Sequence, residues 1–335
     1  MDIHDLQVCP GTLAAGFSTY SSASLKSTFN RKKVSHILPY KSPETDDETA
    51  DIFLKNREHL SISGVQKKIS LIQEKNSLRL TEANERGTHI LKTIPTDLKK
   101  ANQVPANEHL TMQIARQVYS IATAQNALIF FSDGTPAYIT KRFDIKKDGS
   151  KWSVEDFASL AGKTQDNAGP NFKYNYSYEE LGLLIKQNIP AWRVEIEKFF
   201  KLVVFNYLFS NGDAHLKNFS IIESLSGDNI LSPAYDLVNS HMHVDDRVFA
   251  FEKGLFANDF KSLHYKLKKH PGRDDFIEFS KRIGILPSRI DKLLHPFMER
   301  QNGVAELIDR SFFDHANRKT YLTSYNSRRN YLIAK

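Results

Sequence analysis

Hydrophobic spacing divides the 335-residue chain into three stretches with different periods. Residues 1–60 show no sustained period: Ser and Thr cluster between Ser18 and Thr28, Asn30-Arg31-Lys32-Lys33 adds charge, and Ser42 to Asp51 is acidic and polar. This predicts a loop-rich N-terminal extension. Ile69 to Ile72 and Leu78 to Leu80 then flank Glu74-Lys75-Asn76-Ser77, which predicts a hairpin, and Thr88 to Ile94 reads as a third strand. Pro105 opens a helix whose Leu110, Ile114 and Val118 fall at a four-residue step. Ala127 to Phe131 and Ala137 to Phe143 predict two more strands around the turn Ser132-Asp133-Gly134-Thr135-Pro136. From about residue 146 the period becomes helical, with a long apolar helix over Trp192 to Phe209 and a stripe at Val304, Leu307, Ile308 and Phe312. Strands, one helix, strands and then helices predict an α+β fold of two lobes. A small β-rich lobe (61–145) packs on a larger α-helical one (146–335), with a ligand cleft between them.

Candidate chemistry concentrates in Asn211-Gly212-Asp213-Ala214-His215-Leu216-Lys217-Asn218. An Asp followed five residues later by an Asn has the spacing of a kinase catalytic loop. The carboxylate faces the hydroxyl that attacks the γ-phosphate, while the Asn oxygen reaches Mg²⁺ on the nucleotide side. Downstream, Ser232-Pro233-Ala234-Tyr235-Asp236-Leu237 sets Asp236 between apolar neighbours, as a metal-binding Asp on a short buried strand would be. Magnesium takes one or two carboxylates plus phosphate oxygens, so Asn218 and Asp236 supply about what it needs. Upstream, alternation in His89-Ile90-Leu91-Lys92 puts Ile90 and Lys92 on one face, where the lysine can meet the α- and β-phosphates and pair with Glu108. Phe143 ends the strand that enters the larger lobe, where backbone groups commonly meet adenine.

Taken singly, each residue has a plainer role: Glu108 as a charge favoured near a helix start, Asp236 as a cap, His215 as a core histidine. The order Lys, Glu, Asp, Asn, Asp is what a kinase requires, and it points to ATP and Mg²⁺ as ligands. A small-molecule or lipid kinase on the same lobes uses the same set.

Composition adds exclusions. There is one cysteine, Cys9, which cannot form an internal disulfide or a cysteine-rich zinc site. The start lacks a basic patch followed by an apolar core, and the apolar stretch from Phe199 to Phe209 is too short to cross a bilayer, so the expectation is a cytoplasmic protein without a membrane partner. The formal charge of +7 suits an anionic ligand. Lys and Arg are scattered and no recognition motif occurs, so direct nucleic-acid binding is not expected.

The wording around these residues resembles the HipA/HipT kinases. The likeness rests on Ser61-Ile62-Ser63-Gly64-Val65-Gln66-Lys67-Lys68, His89-Ile90-Leu91-Lys92, Asn107-Glu108, Arg142-Phe143-Asp144, Glu155-Asp156-Phe157, the Asn211 to Asn218 block and Tyr235-Asp236-Leu237. It implies a bilobal protein-kinase-like fold and ATP- and Mg²⁺-dependent serine phosphorylation of protein. Asp213 would be the catalytic base, Asn218 and Asp236 the metal ligands, and Lys92 the phosphate contact held by Glu108. Phe143 would lie at the adenine hinge, with His215 and Tyr235 lining the nucleotide site. Ser63, Gly64, Val65 and Gln66 would belong to the phosphate loop, with Ser61 and Ser63 as autophosphorylation sites; phosphate there would repel the phosphates of ATP. The resemblance further implies a toxin that phosphorylates an aminoacyl-tRNA synthetase and is restrained by a DNA-binding antitoxin. The short leader before Ser61 matches the shorter HipT-like members, in which a small third protein replaces an N-terminal subdomain. Departures from eukaryotic protein kinases are clear: there is no Gly-x-Gly-x-x-Gly, Asn-Gly-Asp stands for His-Arg-Asp, Tyr-Asp-Leu for Asp-Phe-Gly, and no Ala-Pro-Glu element occurs.

Overall fold

The computed structural model describes residues 2–43, 68–82 and 85–334. Residues Ser61 to Gln66 lie outside them. Five strands, β1 (Lys68–Glu74), β2 (Ser77–Leu80), β3 (His89–Lys92), β4 (Asn126–Phe130) and β5 (Pro136–Lys141), form one antiparallel sheet in the order β2-β1-β3-β5-β4. Alternation decides what each face does. Ile69, Leu71, Leu91, Ala137 and Ile139 point into one apolar cluster, while Ile90, Lys92 and Tyr138 point the other way. The register is informative: Lys68 stands directly across from Lys92, and Lys92 across from Tyr138, so all three side chains share the second face.

The first face is covered by residues 2–43. A helix α1 (Ser22–Thr28), capped by the Ser21 side chain on the Ser24 amide, brings Phe29 into the sheet. Phe29 is fully buried and stacks on His89 with ring centroids 5.5 Å apart. The outer edge of β4 is blunted by the same segment, through Phe130 N to His36 O (2.8 Å), Leu38 N to Phe130 O (2.7 Å) and Leu128 N to Pro10 O (2.8 Å). The described part of the extension, residues 2–43, carries one short helix, and its Tyr20, Phe29, Val34 and Leu38 complete the core on this face of the sheet.

Helix α2 (Val104–Gln117) packs on β4 and β5 and is buried along nearly its whole length. Beyond it the short helices α3 (Phe157–Leu160) and α4 (Gln165–Ala168) lead to α5 (Tyr178–Asn188) and the central α6 (Trp192–Leu208). Then come α7 (Leu263–Lys268), α8 (Arg273–Arg282), α9 (Pro287–Met298), α10 (Asn302–Asp309) and α11 (His315–Ile333). Phe199, Phe200, Val203, Val204, Phe205, Tyr207 and Leu208 of α6 are all buried. Val304, Leu307 and Ile308 form the buried stripe of α10, whereas Phe312 lies past its end, against Phe130. Two contacts moor α2 to this lobe: Tyr119 stacks on Phe297 at 4.8 Å, and the Thr111 and Tyr321 hydroxyls lie 2.8 Å apart.

The helical lobe also holds strands that the sequence analysis did not place. A second antiparallel sheet, β6 (Val154–Asp156), β7 (Ser220–Glu223) and β8 (Asn229–Leu231), lies within the helical lobe. Strands of three or four residues are too short to leave a period in the sequence.

Two buried histidines tie the small lobe to the N-terminal segment: His89 Nε2 lies 3.0 Å from Thr28 O, and His109 Nε2 3.3 Å from Gly11 O. Burial lowers their pKa values to about 4 and about 3. Both rings are thus neutral when folded but protonate near 6.5 when unfolded. Below that pH the unfolded chain holds more protons, so stability falls on acidification, by up to about 1.4 kcal/mol per pH unit for each ring down to its folded value. Urea unfolding of the wild type should show this loss between pH 7 and pH 5, and His89→Gln should show a shallower dependence; identical slopes would contradict the assignment.

Candidate active site

Between the lobes lies a cleft of about 630 Å³, lined by Ile90, Lys92 and Phe143 above and Asp213, Tyr235 and Asp236 below, among others. Its centre is an ion-pair cluster. Lys92, 4% exposed, donates to Glu108 Oε1 at 2.6 Å and to Asp236 Oδ1. Lys68, placed beside it by the strand register, lies 3.7 Å from Asp236 Oδ2. The Lys92 ammonium also stands 5.4 Å from the Tyr138 ring centroid. Burial penalises the charge on Lys92, but Asp236 and Glu108 outweigh it and raise the lysine pKa. Burial acts against the Asp236 carboxylate too, yet Lys92 and Lys68 hold it below the usual range. Glu108 moves the other way: its burial outweighs Lys92, and its pKa is raised.

Asp236 was expected on a short buried strand. Instead it follows the isolated bridge between Ala234 and Thr123, in irregular backbone with φ of 56°. Asp tolerates this left-handed conformation better than most residues. Asn218 closes a 3-10 turn (Leu216–Asn218) and donates from Nδ2 to Asp236 Oδ2 at 3.3 Å, while its Oδ1 accepts from the His215 amide at 3.1 Å. Two oxygen-bearing side chains thus meet at one edge of the cleft. Among the described residues no cluster of three His, Cys, Asp or Glu forms a complete metal cage. That donor set fits Mg²⁺ bound jointly with phosphate oxygens.

The backbone around Asp213 is set by local packing. Ser210, with φ of 53°, ends α6 in a left-handed turn. A Cβ on Gly212 would come within 2.5 Å of Arg247 O, so only glycine allows that close approach. Asn211 Oδ1 accepts from the Asp213 amide at 3.2 Å, and Ser240 Oγ from the Gly212 amide at 2.8 Å. The Asp213 side chain is half exposed and accepts from the Tyr174 hydroxyl at 2.7 Å. Partial desolvation on the cleft side raises its pKa and so improves it as a proton acceptor, while Tyr174 and Lys173 oppose the shift. His215 Nε2 lies 4.0 Å from Asp213 Oδ1, and burial lowers the ring to about 3, so it is neutral at physiological pH. Phe143 and Tyr235 stack at 5.8 Å, and Tyr235 donates to Lys217 O at 2.9 Å.

A second network holds the two halves together. Asn107, beside Glu108 on α2, donates to Asn239 O (2.9 Å), accepts from Asn239 N (3.0 Å) and lies 2.8 Å from His243 Nε2. The helix that carries Glu108 is therefore bound to the loop that follows Asp236.

The structure brings Lys92, Glu108, Phe143, Asp213, His215, Asn218, Tyr235 and Asp236 to one cleft. Ser61, Ser63, Gly64, Val65 and Gln66 are outside the described residues. Sequence reasoning missed Lys68, Lys173 and Tyr174 as site residues. Lys68 becomes visible only once the β1–β3 register is known, and Tyr174 lies 39 residues before Asp213 in a turn without periodicity.

A curled antiparallel lobe facing a helical lobe, with a paired lysine above and an Asp–Asn loop below, is the architecture of the protein-kinase-like class. The chain belongs to the HipA-like C-terminal domain family, whose model matches residues 60–305. A Haemophilus influenzae protein named "Putative kinase" is 26% identical over 326 residues, covering 93% of this chain and 92% of that protein. The serine/threonine-protein kinase toxin HipA of Shewanella oneidensis is 27% identical over 202 residues, 56% of this chain and 44% of that protein. Among solved structures, a chain in the Shewanella oneidensis MR-1 complex of HipA, HipB and operator DNA superposes with a TM-score of 0.65 at 22% identity, covering 83% of this chain and 66% of that one. The Helicobacter pylori proinflammatory kinase CtkA gives 0.52 at 16% identity, covering 80% and 91%. The fold is that of these kinases, and the family relation is to HipA-like proteins, one of which is named a kinase toxin.

Removing Lys92 leaves two carboxylates facing each other in a buried site. Lys92→Met is expected to cost about 3–5 kcal/mol of stability. Lys92→Met/Glu108→Gln should regain part of that loss, because Glu108 then needs no counter-ion. Urea denaturation checks both. A single mutant as stable as wild type would contradict the buried pairing.

Proposed function

We propose that the chain is an ATP- and Mg²⁺-dependent serine/threonine protein kinase that acts as the toxin of a toxin–antitoxin module. The observation that carries this reading is the convergence of Lys92, Glu108, Asp213, Asn218 and Asp236 on one cleft, each on an element that faces it. Lys92 carries a charge held at the cleft wall and neutralises the α- and β-phosphates once it exchanges Asp236 for them. Asn218 and Asp236 would hold Mg²⁺, which would offset the charge of the phosphates. Ile90, Phe143 and Tyr235 supply the apolar walls for adenine. Asp213 accepts the proton of the acceptor hydroxyl as its oxygen bonds to the γ-phosphorus, and the bond from that phosphorus to the β–γ bridging oxygen breaks to leave ADP.

The acceptor is a protein serine or threonine, and an aminoacyl-tRNA synthetase is the acceptor that the family resemblance of the sequence implies. Ser61 and Ser63 are the proposed sites of self-phosphorylation, where added charge would oppose nucleotide binding. A DNA-binding antitoxin is the proposed partner, supported by the HipB and operator DNA in the related complex. A small third protein joining them remains part of this reading.

Purified wild type incubated with radiolabelled ATP and Mg²⁺ should label itself and an acceptor protein. Asp213→Asn should lower the rate by about 10²- to 10⁴-fold while still binding nucleotide. Full activity in Asp213→Asn would contradict its role as base, and label found only on small hydroxylated metabolites would replace the protein-kinase reading.

A further inference from the structure

The turn 169–176 contains no motif residue, yet it is built against the catalytic loop. Phe172 is buried beneath it, Leu216 N donates to Lys173 O at 3.2 Å, and Glu252 N to Tyr174 O at 3.1 Å. These bonds aim the Tyr174 side chain into the cleft. Its hydroxyl donates to Asp213 Oδ1 at 2.7 Å, and its ring lies edge-on to His215, 5.2 Å between centroids. Lys173 Nζ sits 4.7 Å from the same ring centroid. The contact divides the carboxylate into two unlike oxygens. Oδ1 is taken by Tyr174, whereas Oδ2 has no hydrogen-bond partner among the described residues.

We propose that Tyr174 is a positioning residue for phosphoryl transfer: its hydroxyl fixes the Asp213 carboxylate through Oδ1 and leaves Oδ2 as the oxygen that takes the acceptor proton. This rests on the kinase reading above. An untethered aspartate rotates about its terminal torsion, so only part of its population faces the acceptor. The tether removes that freedom and leaves the nucleotide contacts of Lys92, Asn218 and Asp236 untouched. A phenol is also suited to the task, because burial together with the Asp213 charge raises the Tyr174 pKa and keeps it a donor.

The test is Tyr174→Phe, which keeps the ring against His215 and deletes the hydroxyl. A hydrogen bond to a charged group is worth about a ten- to hundredfold change in rate. We expect kcat for self-phosphorylation to fall by that factor, with KM for ATP within about twofold of wild type. A change confined to KM, or no change in kcat, overturns the proposal. A second measurement needs no phosphoryl transfer: the ¹³C titration of the Asp213 carboxyl, assigned by its loss in Asp213→Asn. The groups that face this carboxyl are Tyr174, Lys173, His215, Asp236 and Asp246. Loss of the Tyr174 bond should move the titration to higher pH, and an unmoved carboxyl overturns the tether. A wild type that transfers no phosphate while the carboxyl shifts in Tyr174→Phe would sink the kinase reading and leave the tether standing.

Discussion

A protonated lysine sealed between two carboxylates is the constraint around which the structure is arranged. The Lys92 ammonium has almost no access to water, so its charge must be met by protein. Glu108 reaches it only if α2 packs tightly on the sheet, and Asp236 only if the loop after β8 closes from the other lobe. One buried charge therefore links three distant parts of the chain. Asn107 repeats the linkage with neutral groups, joining α2 to the backbone and side chains of residues 239–243. A ligand that takes Lys92 away from Asp236 has to replace a charge, and the phosphates of a nucleotide are well matched to that requirement.

Support for this cluster comes from the outer face of the same sheet. Leu91 and His89 point away from the cleft into the core built with residues 2–43, which fixes β3 in register and so directs Lys92 inward. Tyr119, Thr111 and their partners fix α2 from the far side. The lower wall is held in the same manner: Asn211, Gly212 and Ser240 shape the loop that presents Asp213, and β6–β7–β8 sets the level of Asn218.

Much of this was legible in the chain. Alternation in His89-Ile90-Leu91-Lys92 assigned the inward lysine, and the five-residue step from Asp213 to Asn218 located the loop of the lower wall. The five strands of the first sheet, α2 and α6 emerged within two residues of their observed ends, as their buried positions recur at the period of the element, whereas most of the other helices were legible only as a general helical period. Among the features that did not emerge, three show why. The β6–β7–β8 sheet is built from strands too short to show alternation. The left-handed Asp236 has no sequence mark, and its side-chain partners, Lys92 and Asn218, are remote in the chain. Tyr174 sits in a polar turn whose meaning comes only from the backbone bonds that press it on Leu216 and Glu252. Composition foretold none of these, since each depends on a contact between segments far apart in sequence.

The most direct test of the central claim is a crystal structure of the chain with Mg²⁺ and a non-hydrolysable ATP analogue. The account predicts that Lys92 keeps Glu108, leaves Asp236 and contacts the α- and β-phosphates, while Asp236 and Asn218 turn their oxygens to the metal. Nucleotide bound elsewhere, or bound in the cleft with the Lys92–Asp236 pair intact, would contradict it.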